Sequence, residues 1–376
     1  MNTTDYPIKL RGVNLGGWLV LEKWMTPSLF SGLQAVDETT FCVELGNRAE
    51  QLLKEHWQTF ITRDDFVWLA QKGINAVRIP VGHWLFGPPY PYHSAYGSLP
   101  HPYVQGGVDI LDNAFKWADA LGLHIVLDLH AAPGCQNGFD NGGIQGVCEW
   151  HTQDAYINHS LNILELLAER YHGRPSLHAI EVLNEPRWDI ATPTLKKFTI
   201  EGYHRIRKHC RAEDVALVFH DGFRSYTEYS GFLSEPTYSN VIFDIHRYQC
   251  FVQTDLDMDI YGHIQKASIH WKNEADEINL NLGLSACVGE WSLGLHLHAS
   301  TLFTKPMSND DGKVLSPFHE NLCYKAYAAT QLLTFERYRG WFFWSYKTES
   351  APAWSFRECV NRGWLPERFD ADPIQC

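Results

Sequence analysis

Short runs of apolar residues alternate with longer amphipathic segments along nearly the whole chain. Eight of these runs are four to six residues long, and each ends in polar or aromatic residues. Continuous hydrophobicity over such a length is typical of parallel strands that are buried on both faces. The predicted strands are 11–16, 76–81, 124–129, 178–183, 216–220, 241–245, 286–289 and 340–344.

Helical patterns lie between these runs. One begins after Thr62, which is a good N-cap residue, has acids in its first turn and stops at Gly73, a typical C-terminal residue. The segment 154–171 is the clearest helix, because Leu161, Leu164 and Ala168 share one face. Further helices are predicted over 108–121, 194–210 and 324–338.

The regular alternation of strands and helices predicts one fold class. Eight strands with interposed helices indicate an α/β protein in which residues 1–376 form a single (β/α)8 TIM barrel with elaborated βα loops. The alternative is an open doubly wound sheet, but no GxGxxG or GxxxxGK[ST] motif follows the first strand. Two long loops, 87–107 and 295–316, are expected to form lids or binding walls.

Composition excludes several classes of partner. The net charge of −13 repels phosphate backbones, so nucleic acid is not an expected partner. No stretch of about 18 apolar residues occurs, so no membrane-spanning helix is expected. The aromatic content of 14% fits either a large core or a surface for the apolar faces of sugar rings.

The nine cysteines form no CxxC pair and no metal-type spacing with histidine, so no metal site is expected. Cys135 and Cys148 flank a glycine-rich loop and are able to pair, although free thiols are expected without an export signal. The start, Met1 to Leu10, lacks a basic residue followed by an apolar run. The expectation is a cytoplasmic protein if Met1 is the natural start, and a secreted one if the chain is a mature form.

Two glutamates follow predicted strands and are expected at the same barrel mouth. Glu185 comes after strand 4 in the run Asn-Glu-Pro, and Glu290 ends strand 7 before Trp291. Hydrolysis of a glycosidic bond needs a carboxylic acid and a carboxylate, which lie about 5–5.5 Å apart in retaining enzymes. Either glutamate alone fits a solvated strand end equally well. Together they predict a pair of catalytic carboxylates at the barrel mouth, suited to hydrolysis of a glycosidic bond.

Three other acids, Glu181, Asp128 and Asp244, lie two or four residues before site residues on the same strand face. We expect them to be buried, hydrogen-bonded groups that orient the catalytic layer from beneath.

Seven stretches carry a family resemblance: RGVNLGGWLVLEKWMTPSLF (11–30), VRIPVGHW (77–84), LDLHAAPGCQNGFDN (127–141), VLNEP (182–186), DIHRYQCF (244–251), GEWS (289–292) and GWFFWSYKTESAPAWSF (340–356). In this order they resemble the exo-β-1,3-glucanases of glycoside hydrolase family five. NEP with GEW marks only a wider clan of barrels, whereas RGVNLGGW with APGxQNGFDN and APxWSF is much narrower. Cys135 and Tyr346 depart from the pattern, which commonly has a serine-like residue and Trp there.

The resemblance implies a retaining β-glycosidase that needs no cofactor, with Glu185 as general acid/base and Glu290 as nucleophile. A general acid must hold a proton near neutral pH, so the pKa of Glu185 is expected to be raised. The resemblance also implies roles for further residues. Asn184 would hydrogen-bond the sugar 2-hydroxyl, and Arg78 would hold Glu290 ionised by lowering its pKa. The implied polar floor of the site is formed by His130, His246 and Tyr248. The implied sugar-binding residues are Glu22 and Asp140 at the non-reducing end, Trp344 beneath the first glucose, and Phe139 and Phe251 at the entrance.

The resemblance also implies an activity: exo-acting hydrolysis of β-glucan, in which glucose leaves from non-reducing ends by double displacement. One alternative keeps this chemistry and changes the leaving group, as in a β-glucosidase or diglycosidase acting on flavonoid, steryl or lipid glucosides. The alternative from another class is a non-catalytic carbohydrate-binding barrel, since a fold does not determine function. A barrel for phosphorylated substrates is disfavoured, because no glycine-rich phosphate cradle follows strand 7 or 8.

Overall fold

A computed structural model describes residues 8–87, 102–295 and 316–370. Eight parallel strands close into a barrel in sequence order, with β1 paired to β8. The predicted strands and the (β/α)8 fold class are confirmed, and strand ends differ from the prediction by no more than two residues. The strands are β1 (Leu10–Asn14), β2 (Ala76–Gly82), β3 (His124–Ala131), β4 (Leu177–Glu181), β5 (Ala216–His220), β6 (Val241–Arg247), β7 (Ser285–Trp291) and β8 (Gly340–Phe343).

Helices surround the barrel, and all five predicted helices are present. The helices are α1 (Glu38–Leu45), α2 (Arg48–Thr59), α3 (Arg63–Gln71), α4 (Gly107–Leu121), α5 (Asp154–Tyr171), α6 (Thr192–Arg207), α7 (Gln253–Leu256), α8 (Ile260–Gln265), α9 (Lys272–Asn281), α10 (Pro317–Phe335) and α11 (Phe356–Asn361). A π-helical segment, Lys266–Trp271, joins α8 to α9. Helix α10 begins seven residues before the predicted start of 324, because Ser316 caps it by accepting from the His319 amide and a proline follows at the first position.

Both predicted ends of α3, after Thr62 and at Gly73, have a local structural cause. Thr62 and Asp65 form a capping box at its start, in which each side chain accepts from the other residue's backbone amide. Gly73 follows its end with a φ of +78°, and a Cβ at this position would lie 2.6 Å from Asp370. Both the conformation and the close approach therefore require glycine.

The barrel interior changes character along the strands. Its lower layer is apolar and includes the small residues Ala76, Ala179 and Ala216. Two residues further along β2 and β4, the interior positions are occupied by the buried charged groups Arg78 and Glu181, whereas β5 still has the apolar Val218. Since alternate residues of a strand face the same side, this layering places the polar chemistry towards the C-terminal ends of the strands.

Several smaller expectations also have an outcome. All eight described cysteines are free, including Cys135 and Cys148, as expected. Within the described ranges, no helix has the length and apolar character needed to cross a membrane. The predicted long loops 87–107 and 295–316 lie mostly outside the described residues.

Candidate active site

Arg78, in the middle of β2, links carboxylates that come from three other strands. Its Nε donates to Glu181 Oε2 at 2.7 Å, and its Nη2 lies 3.1 Å from Asp128 Oδ2. Its Nη1 donates to Glu290 Oε1 at 3.0 Å, and Nη2 donates to Asn184 Oδ1 at 2.8 Å. The guanidinium fork thus holds Glu290 and Asn184 at fixed positions on one plane.

The other oxygen of Glu290 has its own donor. The Tyr248 hydroxyl donates to Glu290 Oε2 at 2.7 Å. Asn14, at the end of β1, accepts from Arg78 at 3.0 Å and donates to the Gly289 carbonyl at 2.9 Å. The second bond anchors β7 at the residue before Glu290. The sequence had given no role to Asn14, although it stands at a strand end inside the RGVNLGGW motif.

Glu185 follows β4 with a backbone φ of +42°, a left-handed conformation that a residue before proline rarely adopts. Such strain costs about 1–3 kcal/mol and persists where the surroundings hold it, commonly at functional sites. The buried carboxyl group is held at both oxygens: Oε1 lies 2.7 Å from His246 Nδ1, and Oε2 accepts from Asn141 Nδ2 at 3.3 Å. Asn141 was within a quoted motif but had been assigned no role.

His246 lies among three carboxylates. Its Nδ1 is 2.7 Å from Glu185 Oε1 and 3.4 Å from Glu290 Oε2, and its Nε2 is 3.2 Å from Asp244 Oδ2. Because one atom lies this close to both glutamates, their facing oxygens are no more than about 6 Å apart. That limit fits the close pair of retaining glycosidases and is shorter than the about 6.5–9.5 Å of inverting ones.

These contacts determine the protonation of the site. Burial opposes a charge on His246, but Glu290, Asp244 and Glu185 together raise its pKa well above the usual value. Burial also favours a protonated Glu185, but the hydrogen bond and charge of His246 outweigh it and lower the pKa of Glu185. Burial and the charge of Glu185 raise the pKa of Glu290, against the attraction of His246 and Arg78. At neutral pH the Glu185–His246 pair therefore carries a proton, and it resides on His246.

The sequence-based expectation was a raised pKa for Glu185 and a pKa of Glu290 lowered by Arg78, and both directions are wrong. For Glu185 the reason is the proton on His246, which lies within hydrogen-bond distance, and for Glu290 it is burial together with the charge of Glu185. Arg78 does attract Glu290, but its single positive charge also interacts with Asp128 and Glu181. The proton needed for acid catalysis is held by the Glu185–His246 pair rather than by Glu185 alone.

The acids expected beneath the catalytic layer are confirmed as buried and hydrogen-bonded. Glu181 accepts from Arg78, and Asp128 Oδ2 lies 2.6 Å from His130 Nδ1. Asp244 contacts His246 and accepts from the Gly289 amide at 2.6 Å. A Cβ at Gly289 would overlap this carboxylate, so the glycine before Glu290 is required for the contact.

Two clusters of the described residues have potential metal-ligand atoms within 4.8 Å of one another, Glu185 with His220 and His246, and Glu181 with Asp244 and His246. His246 is shared, and both of its ring nitrogens already contact carboxylates. These contacts, together with its raised pKa, favour a protonated imidazole over a metal ligand.

A second acidic pair lies beside the catalytic one. Glu22 is buried and accepts from the Trp24 indole at 2.8 Å. Burial and the charge of Asp140 raise the pKa of Glu22 well above its usual value, and Glu290 and Glu185 contribute in the same direction. Burial likewise raises the pKa of Asp140. The structure thus brings together Glu22 and Asp140, which the resemblance had placed at the non-reducing end of the sugar.

Aromatic rings line the rest of the mouth. Trp344 stacks on His130 with centroids 5.3 Å apart and planes 5° apart. Phe251 is 71% exposed and contacts Tyr248 and Trp354, at 5.4 and 6.0 Å between centroids. Phe139, half-buried, lies in the loop after β3, and its amide donates to Asn137 at 2.9 Å. Trp354 was quoted within a motif but not identified as part of this wall.

The departures from the family pattern have local explanations. Tyr346 is buried, and its hydroxyl donates to Asp65 on α3 at 2.8 Å, so it supports the barrel wall from outside. Cys135 has a φ of +54°, and its Sγ accepts from the Gly138 amide at 3.2 Å, beneath the loop that carries Phe139.

Replacing Arg78 with methionine is expected to destabilise the fold by about 3–5 kcal/mol, the cost of leaving buried charges without their partner. The free energy of unfolding in urea measures this. Arg170→Met is the matched control, because it removes a partly exposed pair with Asp112 and should cost about 1 kcal/mol or less. Equal losses in the two variants would contradict the buried network.

An eight-stranded parallel barrel with close, buried glutamates after β4 and in β7 defines a class: the TIM-barrel glycoside hydrolases that use paired carboxylates. The family model of cellulase (glycosyl hydrolase family 5) matches residues 37–348. The chain belongs to glycosyl hydrolase family 5.

Similar proteins agree with this placement. The glucan 1,3-beta-glucosidase of Blumeria graminis is 38% identical, over 98% of this chain and 89% of the relative. A probable glucan 1,3-beta-glucosidase A of Aspergillus fumigatus (strain CBS 144.89) is 37% identical, over 97% and 89%. Among solved structures, the rutinosidase from Aspergillus niger shares the fold with a TM-score of 0.75 and 21% identity, over 95% of this chain and 98% of that one. Endoglucanase Cel5A from Thermotoga maritima has a TM-score of 0.54 and 15% identity, over 96% and 97%.

Proposed function

We propose that this protein is a retaining exo-β-1,3-glucosidase that releases glucose from the non-reducing ends of β-glucan oligosaccharides. The observation that carries the retaining mechanism is the position of His246, 2.7 Å from Glu185 and 3.4 Å from Glu290, which limits the facing oxygens of the two carboxylates to a separation of about 6 Å. The names of the relatives that match nearly the whole chain support the β-1,3-glucan substrate.

In the first step, the Glu290 carboxylate attacks the anomeric carbon and the bond to the departing oxygen breaks. The proton shared by His246 and Glu185 passes through Glu185 to that oxygen. In the second step, water attacks the same carbon, Glu185 takes a proton from the water and the ester bond to Glu290 breaks. The pair has then regained its proton, and two displacements have retained the β configuration.

The exo mode is supported by the acidic pair beside the catalytic residues. A carboxyl group with a raised pKa, as in Glu22, can donate as well as accept hydrogen bonds to sugar hydroxyls. Glu22 is also fixed by Trp24, whose ring packs on Trp354 at 5.5 Å. Groups fixed in this way would recognise the terminal sugar and close the pocket beyond it.

Hydrolysis of laminaritriose, followed by proton NMR and chromatography, tests the proposal. We expect β-glucose to appear before its α anomer, with glucose and laminaribiose formed in equal amounts at the start. Early α-glucose would contradict retention. If the protein hydrolyses aryl β-glucosides but not laminaritriose, the result would contradict the glucan substrate and leave the glycosidase mechanism standing.

A second candidate is a glucosidase or diglycosidase that acts on glycosides with flat aromatic or lipid aglycones. The exposed ring of Phe251, beside Tyr248 and Trp354, favours it, since such a surface binds a planar aglycone as well as a sugar. Measuring kcat/KM for laminaritriose, cellobiose, rutin and a glucosylceramide separates the two candidate functions. A higher kcat/KM for rutin or the glucosylceramide than for laminaritriose would favour the second candidate.

A further inference from the structure

One buried histidine next to the active site has no part in the steps above. His220 ends β5, and its side chain is buried between the rings of His246 and Phe223. The centroid distances are 4.3 Å to His246 and 5.1 Å to Phe223, with interplanar angles of 70° and 73°. His220 therefore packs directly on the residue that hydrogen-bonds Glu185.

Hydrogen bonding determines the state of this ring. The Gly222 amide donates to His220 Nδ1 at 2.9 Å, so Nδ1 carries no hydrogen and the proton of a neutral ring is on Nε2. Nε2 has no hydrogen-bond partner among the residues that the structure describes. Burial, and the positive charges of His246, Arg78 and Arg247, hold the pKa of His220 well below its usual value. His220 is thus a neutral ring with one fixed edge.

The orientation of His246 matters because its two nitrogens point at different carboxylates. Nδ1 contacts Glu185, and Nε2 contacts Asp244 at the longer distance of 3.2 Å. A rotation of the imidazole would misalign both contacts, and hydrogen bonds weaken steeply as their angle falls. The His220 ring packs against this imidazole in a T-shaped contact, and the hydrogen bond from the Gly222 amide holds His220 in place.

We propose that His220 is a positioning residue for acid catalysis: its ring holds the His246 imidazole in the orientation in which it shares a proton with Glu185. This inference rests on the proposed glycosidase function and adds a residue to it. It does not depend on the identity of the sugar that leaves. The charged or titratable groups that act on His246 or His220 are Glu185, Glu290, Asp244, Asp221, Arg78 and Arg247.

Two substrates and two variants test this role. 2,4-Dinitrophenyl β-glucoside has a leaving group that needs no protonation, whereas phenyl β-glucoside depends on the general acid. His220→Asn keeps an acceptor for the Gly222 amide but removes the ring. We expect its kcat/KM to fall about tenfold or more for the phenyl glucoside and about twofold or less for the dinitrophenyl glucoside, since general acid catalysis contributes about 10²–10⁴-fold.

His220→Phe keeps a ring against His246 and loses the acceptor. Because a phenyl ring still packs between His246 and Phe223, its ratio of the two kcat/KM values should stay within about twofold of the parent's, and the unpaired Gly222 amide should lower its thermal stability. If His220→Asn does not fold, His220→Ala, which also removes the ring, takes its place in the comparison. His178→Asn is the matched control, a half-buried histidine at the opposite end of the barrel, and should leave the ratio unchanged.

A parallel loss on both substrates in His220→Asn, or no loss, would overturn the positioning role. A changed ratio in His220→Phe would overturn it as well. An inactive parent would contradict the proposed function itself. An active parent with an unchanged ratio in His220→Asn would contradict this inference alone.

Discussion

Replacing Glu290 with alanine is expected to lower kcat/KM for 2,4-dinitrophenyl β-glucoside by about 10⁴-fold or more, a loss typical of removing a covalent nucleophile. The variant loses the group that forms the glycosyl ester, and Arg78 and Tyr248 lose the carboxylate that they hold. Steady-state release of dinitrophenol measures the effect.

Added azide provides the sharper measurement on this variant. The ion can enter from the side that Glu290 occupied, so Glu290→Ala with azide should form α-glucosyl azide. Glu38→Gln is the matched control: Glu38 is also a buried glutamate, and burial raises its pKa to about 8, so glutamine imitates its neutral state. The control should keep near-parent activity. Near-parent turnover by folded Glu290→Ala without azide would overturn the assignment of the nucleophile.

Replacing Glu185 with alanine is expected to produce a loss that depends on the leaving group. For phenyl β-glucoside, kcat/KM should fall by about 10²–10⁴-fold, the usual contribution of a general acid. For the dinitrophenyl glucoside, the first step should be little affected, and the second step should become slow because no base activates water. A burst of dinitrophenol followed by slow turnover is therefore expected, and stopped-flow absorbance measures it.

The stereochemistry of azide rescue separates the two roles. Azide should attack the glycosyl-enzyme of Glu185→Ala from the side of the missing acid/base and form β-glucosyl azide, the opposite anomer to that from Glu290→Ala. If the two variants give the reverse anomers, the roles of Glu185 and Glu290 are exchanged. If neither variant responds to azide and both keep full activity, a different pair of groups performs the chemistry.

Much of the fold could be predicted from local patterns. A strand in a parallel barrel is buried on both faces, so it appears as an apolar run that needs no knowledge of its neighbours. The capping box at Thr62 and the glycine at 73 are equally local signals. The start of α10 was missed, because the prediction overlooked the Ser-Pro cap at Ser316.

The candidate site could be predicted as a set of positions. Motifs and strand ends placed Glu185, Glu290, Arg78 and His246 at the barrel mouth, and the structure brings these four together. His220 was missed although it ends a predicted strand, because none of the stretches that carry the family resemblance includes it. The positioning role proposed for His220 depends on the ring contact with His246, and no sequence pattern indicates that contact.

The sequence by itself determined which residues reach the mouth of the barrel, because strand periodicity and the order of motifs depend only on neighbours along the chain. The tertiary structure alone decided where the catalytic proton resides. His246 and Glu185 are separated by 61 residues, yet their atoms lie 2.7 Å apart. His246 lowers the pKa of Glu185, whereas burial and the charge of Glu185 raise the pKa of Glu290, so the expected order of the two glutamates is reversed. Electrostatic interactions between buried groups depend on distances in space and on the loss of water, and neither quantity is encoded in the spacing of residues along the chain.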